Sequence, residues 1–387
     1  MLQSLAVAGY RSLKELVIPL SHLTVITGPN GSGKSSLYRA LRLLADTARG
    51  QLVHSLAREG GLRSVLWAGP EVVSREMQLG LVPVQGTLRK KPISLKLGFA
   101  SDEYTYTCDL GLPVPSNSAF FLDPIIKREC IFLGASQKTQ DLLIDRKGPA
   151  IRIRNSKSQW QTPDLELGSF DSLLSEFTDP ESAPAVIRLR DWIRSWRFYD
   201  HFRTDQTAPS RGVQIGTYTP VLGNDGAGLA AALQTIREIG NADLLEQCIA
   251  DAFPGSQLSI DNQDARFEVQ LYQPGMLRPL RSSELSDGTL RYLLLVAALL
   301  TPRPPQLMVL NEPETSLHPD LIPALARLIS EYSQLQQILL VTHSQLLVQE
   351  LDASRNCAVF VLEKSFGATQ LVGVDPFDLP QWKWPAR

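Results

Sequence analysis

Four separated stretches of the chain carry residues suited to phosphate chemistry. GPNGSGKSS (28–36) follows the apolar run LTVIT (23–27) and precedes LYRALRLLA (37–45). This is the strand, glycine-rich turn and helix order that a phosphate loop requires. Gly28, Gly31 and Gly33 let the backbone curl so that successive N–H groups converge on phosphate oxygens, and the following helix adds its positive end. Lys34 supplies a mobile cation for the β- and γ-phosphates, and the Ser35 hydroxyl is a ligand type for Mg²⁺. Asn30, Ser32 and Ser36 complete the loop. Farther along, ELSDGTLRYLLLVAALL (284–300) places Ser286, Gly288 and Thr289 at the start of an apolar helix. A hydroxyl and free backbone N–H groups there make a second anion site, with plain helix capping as the alternative. LMVLNEPETSLHP (307–319) then gives an apolar strand ending in Asn311 and Glu312, and QILLVTHSQ (337–345) a second one ending at His343. Strand, carboxylate, strand, histidine is the order expected of a nucleotide-hydrolysing parallel sheet with its pocket at the strands' C-terminal ends.

The elements that must position these residues are partly legible. A chain of 387 residues with 43% hydrophobic side chains implies two lobes, or one large domain with an insertion. Between 76 and 160, ISLKLGF (93–99), YTYTCDL (104–110) and AIRIRN (150–155) alternate with period two, which predicts an antiparallel sheet. From about Phe170 the period becomes helical: Val186, Leu189, Ile193 and Trp196 share one face, and Leu229, Leu233 and Ile236 another. Trp192 and Trp196 read as core residues, with base stacking as the alternative. The organisation expected is an N-terminal lobe over 1–169 with the phosphate loop and antiparallel β region, a helical insertion over 170–255, and a C-terminal lobe over 256–387.

Charge and composition exclude several classes. The formal net charge is −2 and the isoelectric point about 6.3, so any contact with nucleic acid has to be local. Two basic clusters, Arg146, Lys147, Arg152, Arg154, Lys157 and Arg188, Arg190, Arg194, Arg197, Arg203, are interleaved with acids and read as solvated faces, with contact to a nucleic-acid backbone as the alternative. Cys108, Cys130, Cys248 and Cys357 lie far apart without metal spacing, so buried free thiols are expected. No apolar run is long enough to span a membrane and the N-terminus lacks a leader pattern, which predicts a cytoplasmic chain with no membrane partner.

Taken together, GPNGSGKSS, LSDGT (285–289), LMVLNEPETSLHP and LLVTHSQ (339–345) resemble an ABC-type ATPase. The flavour is that of the RecF, SMC and OLD group, and within it the compact bacterial AAA family ATPases with a GYRSL-like segment (9–13) before the loop. WRFYDHFRTD (196–205) and LGNDGAGLAAAL (222–233) are also similar to segments of that group. The resemblance implies an α/β fold: an ABC-type P-loop head with an antiparallel β region and an inserted helical subdomain. It implies ATP and Mg²⁺ as cofactors, Glu312 polarising the attacking water and His343 sensing the γ-phosphate. Ser286 and Gly288 would cap a nucleotide bound by a second copy, so that ATP binding makes a homodimer with TSLHP (315–319) and His318 at the seam. Tyr10 and Arg11 would approach the adenine, with a structural hairpin as the alternative.

The chain departs from the family's pattern at four places. Asp287 replaces a signature glycine, Thr289 replaces the usual Gln or Glu, and the metal-contacting glutamine is unassigned, with Gln51 and Gln85 as candidates by position. Asn311 stands where the family has an aspartate near the Mg²⁺: it keeps an acceptor oxygen and loses the charge. Either hydrolysis is thereby slowed, or a nearby carboxylate such as Glu314 compensates. The function expected is a slow, ATP-gated dimeric switch in DNA metabolism, repair or antiphage defence that acts through a separate effector or nuclease. The alternatives are a nucleotide-dependent scaffold with little hydrolysis and, less fitting given the long interval from Lys34 to Ser286, a transporter motor.

Overall fold

The computed structural model describes residues 1–85, 92–155, 157–200, 202–353, 357–375 and 377–387. The chain opens with strands β1 (Leu2–Tyr10), β2 (Leu13–Pro19) and β3 (Leu23–Thr27). Tyr10 pairs with Leu13 across a tight β1–β2 hairpin in which Arg11 takes a left-handed φ of 50°. Helices α1 (Lys34–Thr47), α2 (Leu52–Arg58), α3 (Leu62–Val65) and α4 (Arg75–Gln78) follow. α1 is amphipathic: Leu37, Leu41 and Leu44 are buried at helical spacing while Arg39 and Arg42 are exposed.

Strands β4 (Leu95–Ser101), β5 (Tyr104–Gly111), β6 (Ile125–Leu133), β7 (Leu142–Lys147), β8 (Ala150–Arg154) and β9 (Trp160–Gln161) extend the hairpin into an eight-stranded antiparallel sheet, ordered β2-β1-β4-β5-β6-β7-β8-β9. The three alternating stretches foreseen in the sequence are β4, β5 and β8, and the N-terminal hairpin joins them. Helices α5 (Leu173–Glu176) and α6 (Pro184–Arg194) come next. Val186, Leu189 and Ile193 share the buried face of α6; Trp196 is buried too, but lies past the helix end, and Trp192 packs its ring 5.6 Å from Phe99.

One expectation fails here. Arg146, read as part of a solvated basic face, is fully buried and pairs with the equally buried Glu129 at 3.2 Å. It also donates to the carbonyls of Gly148, Gly168 and Asp171, while Glu129 accepts from Tyr106 and Ser172 at 2.6 Å. Desolvating both charges is tolerated because their remaining hydrogen-bonding positions are filled. Residues Met1–Ser21, Gly28–Ser195 and Phe360–Arg387 form one compact unit.

His22–Thr27 and Trp196–Val359 form the second unit. It contains β10 (Arg197–Tyr199), β11 (Gln214–Ile215), α7 (Leu229–Ile239), α8 (Ala242–Ala252), β12 (Gln257–Gln263), β13 (Arg266–Tyr272), β14 (Leu280–Arg281), α9 (Asp287–Leu299), β15 (Leu307–Asn311), α10 (Ile322–Tyr332), β16 (Gln337–Val341) and α11 (Gln345–Ala353). β10, β15, β16 and β3 pair in that order, all parallel. Leu307–Leu310 and Gln337–Val341 are buried throughout, the signature of strands covered on both faces. Against them lies α9, buried from Leu290 to Leu299, with Leu229, Leu233 and Ile236 of α7 in the same core. β12 and β13 form a hairpin whose two loop residues, Asp264 and Ala265, both have positive φ, as the twist of a two-residue turn demands. Finally β17 (Ala358–Ser365) and β18 (Ala368–Val372) pair as a hairpin near the C-terminus. Cys108, Cys130 and Cys248 are buried free thiols; Cys357 is only partly buried. Among the described residues no helix is long and apolar enough to cross a membrane.

Candidate functional site

Because β3, β15, β16 and β10 run parallel, their C-terminal ends share one edge, and the chain passes from Thr27 directly into the glycine-rich loop. Gly28, Gly31 and Gly33 have φ of 142°, 78° and 114°. A Cβ on Gly28 would lie 2.2 Å from the Leu362 carbonyl oxygen, and one on Gly33 2.1 Å from Thr369 Oγ1, so larger side chains do not fit. Thr369 braces the loop by donating to the Ser32 carbonyl at 2.7 Å and bonding the Ser12 hydroxyl at 2.8 Å. No side chain caps the start of α1 at Gly33, which suits an anion there. Lys34 is buried and folds over the loop, its Nζ donating to the carbonyls of Gly28 (2.6 Å) and Pro29 (3.1 Å). Asn30, Gly31 and Ser35 are exposed and Ser36 half-buried, while the Ser32 hydroxyl is buried without a hydrogen-bond partner.

In the second unit the strand ends deliver the acids. Glu312 follows β15 with a φ of 49° and donates its N–H to the Val341 carbonyl at 2.7 Å. That bend leaves its side chain 41% exposed. His343, just beyond β16, places Nδ1 3.7 Å from Glu312 and 3.6 Å from Glu314, so the structure brings the two expected catalytic residues together. Glu314 is buried, and one of its oxygens accepts from the Thr342 hydroxyl (2.5 Å) and from the N–H groups of His343 and Ser344 (3.2 Å each). It therefore ties the turn after β15 to the loop after β16, while its other oxygen, Oε2, is buried without a hydrogen-bond partner. The carboxylate beside Asn311 is Asp200: Asn311 Nδ2 donates to Asp200 Oδ1 at 2.6 Å.

Beneath these acids lies Arg291 of α9, only 2% exposed. Its guanidinium donates to the carbonyls of Glu312 (3.0 Å), Pro313 (3.2 Å) and Phe202 (3.4 Å). Burial pulls its pKa below the usual guanidinium value, against the opposing charges of Glu314, Asp200 and Glu312. At the start of α9, Ser286 is the cap: its hydroxyl accepts from the Thr289 N–H at 3.1 Å and bonds the Thr289 hydroxyl at 2.8 Å. Asp287, in place of a signature glycine, pairs with Arg211 at 2.5 Å, and Arg211 also donates to the carbonyls of Thr204, Ser282, Ser283 and Leu285. Gly288 abuts the turn after β15, where a Cβ would come within 2.9 Å of the Ser316 carbonyl oxygen. His318 is exposed and accepts from the Asp320 N–H as a turn residue.

Tyr10 is fully buried with its hydroxyl on Glu59 at 2.6 Å, and burial raises its phenol pKa. This is the hairpin arrangement and not an adenine contact for Tyr10. Arg11 pairs with the same Glu59 at 2.7 Å. Gln51 and Gln85 are exposed on loops, and the strand next to β15 is β10, which runs into Asp200. His201, in the stretch WRFYDHFRTD, lies outside the described residues. Oxygen donors suit a hard divalent cation, and the orphaned, buried Asn311 Oδ1 is one such donor. Among the described residues no three His, Cys, Asp or Glu side chains gather into a group that could hold a metal ion. Sequence reasoning missed Asp200, Arg211 and Arg291. The lone arginine inside the apolar run of α9 was the available signal for the last.

Residues 23–349 match the family described as "AAA domain, putative AbiEii toxin, Type IV TA system". Among solved structures the chain is similar to an SMC head bound to the C-terminal winged-helix domain of ScpA, at TM-score 0.51 and 14% identity, over 97% of this chain and 98% of that one. It is also similar to the SMC head domain of Thermotoga maritima, at TM-score 0.44 and 15% identity, over 97% and 99%. No curated protein matches the sequence.

Proposed function

The chain belongs to this AAA domain family and has the fold of an ABC-type, SMC-like P-loop ATPase head, and on that premise we propose that it is an ATP-gated dimeric switch with slow turnover. The observation that carries the reading is the Glu312–His343 pair at the ends of buried parallel strands, in a chain that also has a glycine-built loop leading into an uncapped helix start. In this reading Lys34, Ser35 and the N–H groups from Asn30 to Ser36 hold the phosphates of ATP, and Arg11 lies toward the base. Mg²⁺ carried with the nucleotide neutralises phosphate charge. Glu312 takes a proton from the attacking water, and His343 reports the γ-phosphate to it.

Ser286 and Gly288 serve a nucleotide held by a second copy, which makes the dimer ATP-dependent. The state of the dimer is read by a separate partner protein. An SMC head that binds ScpA, and a family description that names a toxin–antitoxin system, both support a partner-coupled role, which we place in DNA metabolism or antiphage defence. Sedimentation tests the reading: the chain with ATP and Mg²⁺ shifts to a dimer, and Ser286→Arg stays a monomer because a bulky cation fills the anion site. A wild-type monomer at saturating ATP contradicts it. A dimer that forms without measurable phosphate release favours the scaffold alternative.

A further inference from the structure

The polar ends of β10 and β15 meet side by side. Tyr199 pairs with Leu310 in the parallel ladder, so the next residues, Asp200 and Asn311, stand across from each other at the edge of the sheet. Asn311 Nδ2 donates to Asp200 Oδ1 at 2.6 Å. A carboxylate is acceptor-only, so this contact fixes which end of the amide faces Asp200. The amide oxygen is left buried and without a hydrogen-bond partner, while Asp200 is exposed. Asn311 is thus committed as a donor to the neighbouring strand.

On the reading that the chain binds ATP with Mg²⁺, on which this rests, we propose that Asp200, and not Asn311, is the carboxylate offered to the nucleotide-borne divalent cation, with Asn311 as the residue that positions it. Hard divalent cations take carboxylate oxygens in preference to neutral acceptors, and the charge that position 311 lacks is present one strand away. Of the other acids, Glu314 is buried with one oxygen held by Thr342, His343 and Ser344, and Glu312 lies against His343. The pair also changes what Asn311→Asp does. It removes the amide donor that holds Asp200 and sets two carboxylates in contact, a like-charge pair.

The test uses Mn²⁺ as the probe, titrated into the full chain held in excess over ATP and followed by loss of the free-ion electron paramagnetic resonance signal; turnover is not needed. ATP binding without metal is measured alongside with a fluorescent analogue, and thermal midpoints confirm folding. Asp200→Asn, nearly isosteric, weakens Mn²⁺ retention about tenfold, the difference between a charge-assisted and a neutral contact, with metal-free ATP binding unchanged. Asp200→Ala weakens it at least as much, and the exchange Asp200→Asn with Asn311→Asp restores retention by returning one carboxylate and one amide to the pair. Unchanged Mn²⁺ retention in both Asp200 variants overturns the inference and leaves the nucleotide reading standing. A wild-type chain that binds no nucleotide overturns both.

Discussion

Replacing Arg291 with methionine tests whether α9 and the turn after β15 are one mechanical piece. The side chain is 2% exposed, and its guanidinium reaches the Glu312 and Pro313 carbonyls at 3.0 and 3.2 Å, with a weaker contact to Phe202 at 3.4 Å. Hydrogen bonds from a charged donor contribute roughly 1.5–3 kcal/mol each, so loss of the two shorter ones alone removes about 3 kcal/mol at the lower bound. Methionine fills a similar stem volume and relieves the desolvation that pulls the arginine's pKa down, which returns on the order of 1 kcal/mol. The net cost expected is about 2 kcal/mol. Chemical denaturation reads this as a lower midpoint at unchanged slope. Turnover falls more than ATP affinity, because the backbone beneath Glu312 loses its anchor while the phosphate loop is untouched. Arg291→Lys, with one compact ammonium for a planar fork, lies between the two. A methionine variant within about 0.5 kcal/mol of wild type would show that these bonds hold nothing in place.

Two further outcomes follow from local geometry. Gly33→Ala forces a side chain onto a backbone at φ 114° and into Thr369 Oγ1, so ATP binding is lost while circular dichroism still reports a folded chain; ATP affinity within twofold of wild type would contradict the steric argument. Arg211→Ala leaves Asp287 unpaired at the start of α9, repelling an incoming phosphate, so ATP-dependent dimerisation weakens and Asp287→Asn in the same chain restores it. No rescue by the second substitution, measured by sedimentation, would mean that Arg211 acts through its carbonyl contacts alone.

The phosphate loop was legible because all its chemistry lies within nine consecutive residues between a strand and a helix. β15 and β16 were legible for a different reason: doubly covered parallel strands are continuous apolar runs. β10 was not, since three residues are too few to show a period and they lie among helical patterns. Asp200 was hidden with it. Its significance depends on Tyr199 standing opposite Leu310, a pairing across the fold that no local spacing reveals. Arg146 could have been caught: along β7 it shares a face with Leu142 and Ile144, and an arginine on an apolar face needs a buried partner. Arg291 carried a comparable sign, a charge inside the apolar run of α9 from Leu290 to Leu299.

Phosphate release by Glu312→Gln bears most directly on the central claim. Positioned proton transfer contributes about 10²–10⁴-fold, so the variant, compared with wild type at saturating ATP and Mg²⁺, should turn over slower by roughly that factor while binding ATP with the same affinity and remaining dimeric. Equal rates in the two chains would contradict the assignment of Glu312 and His343 as the hydrolytic pair.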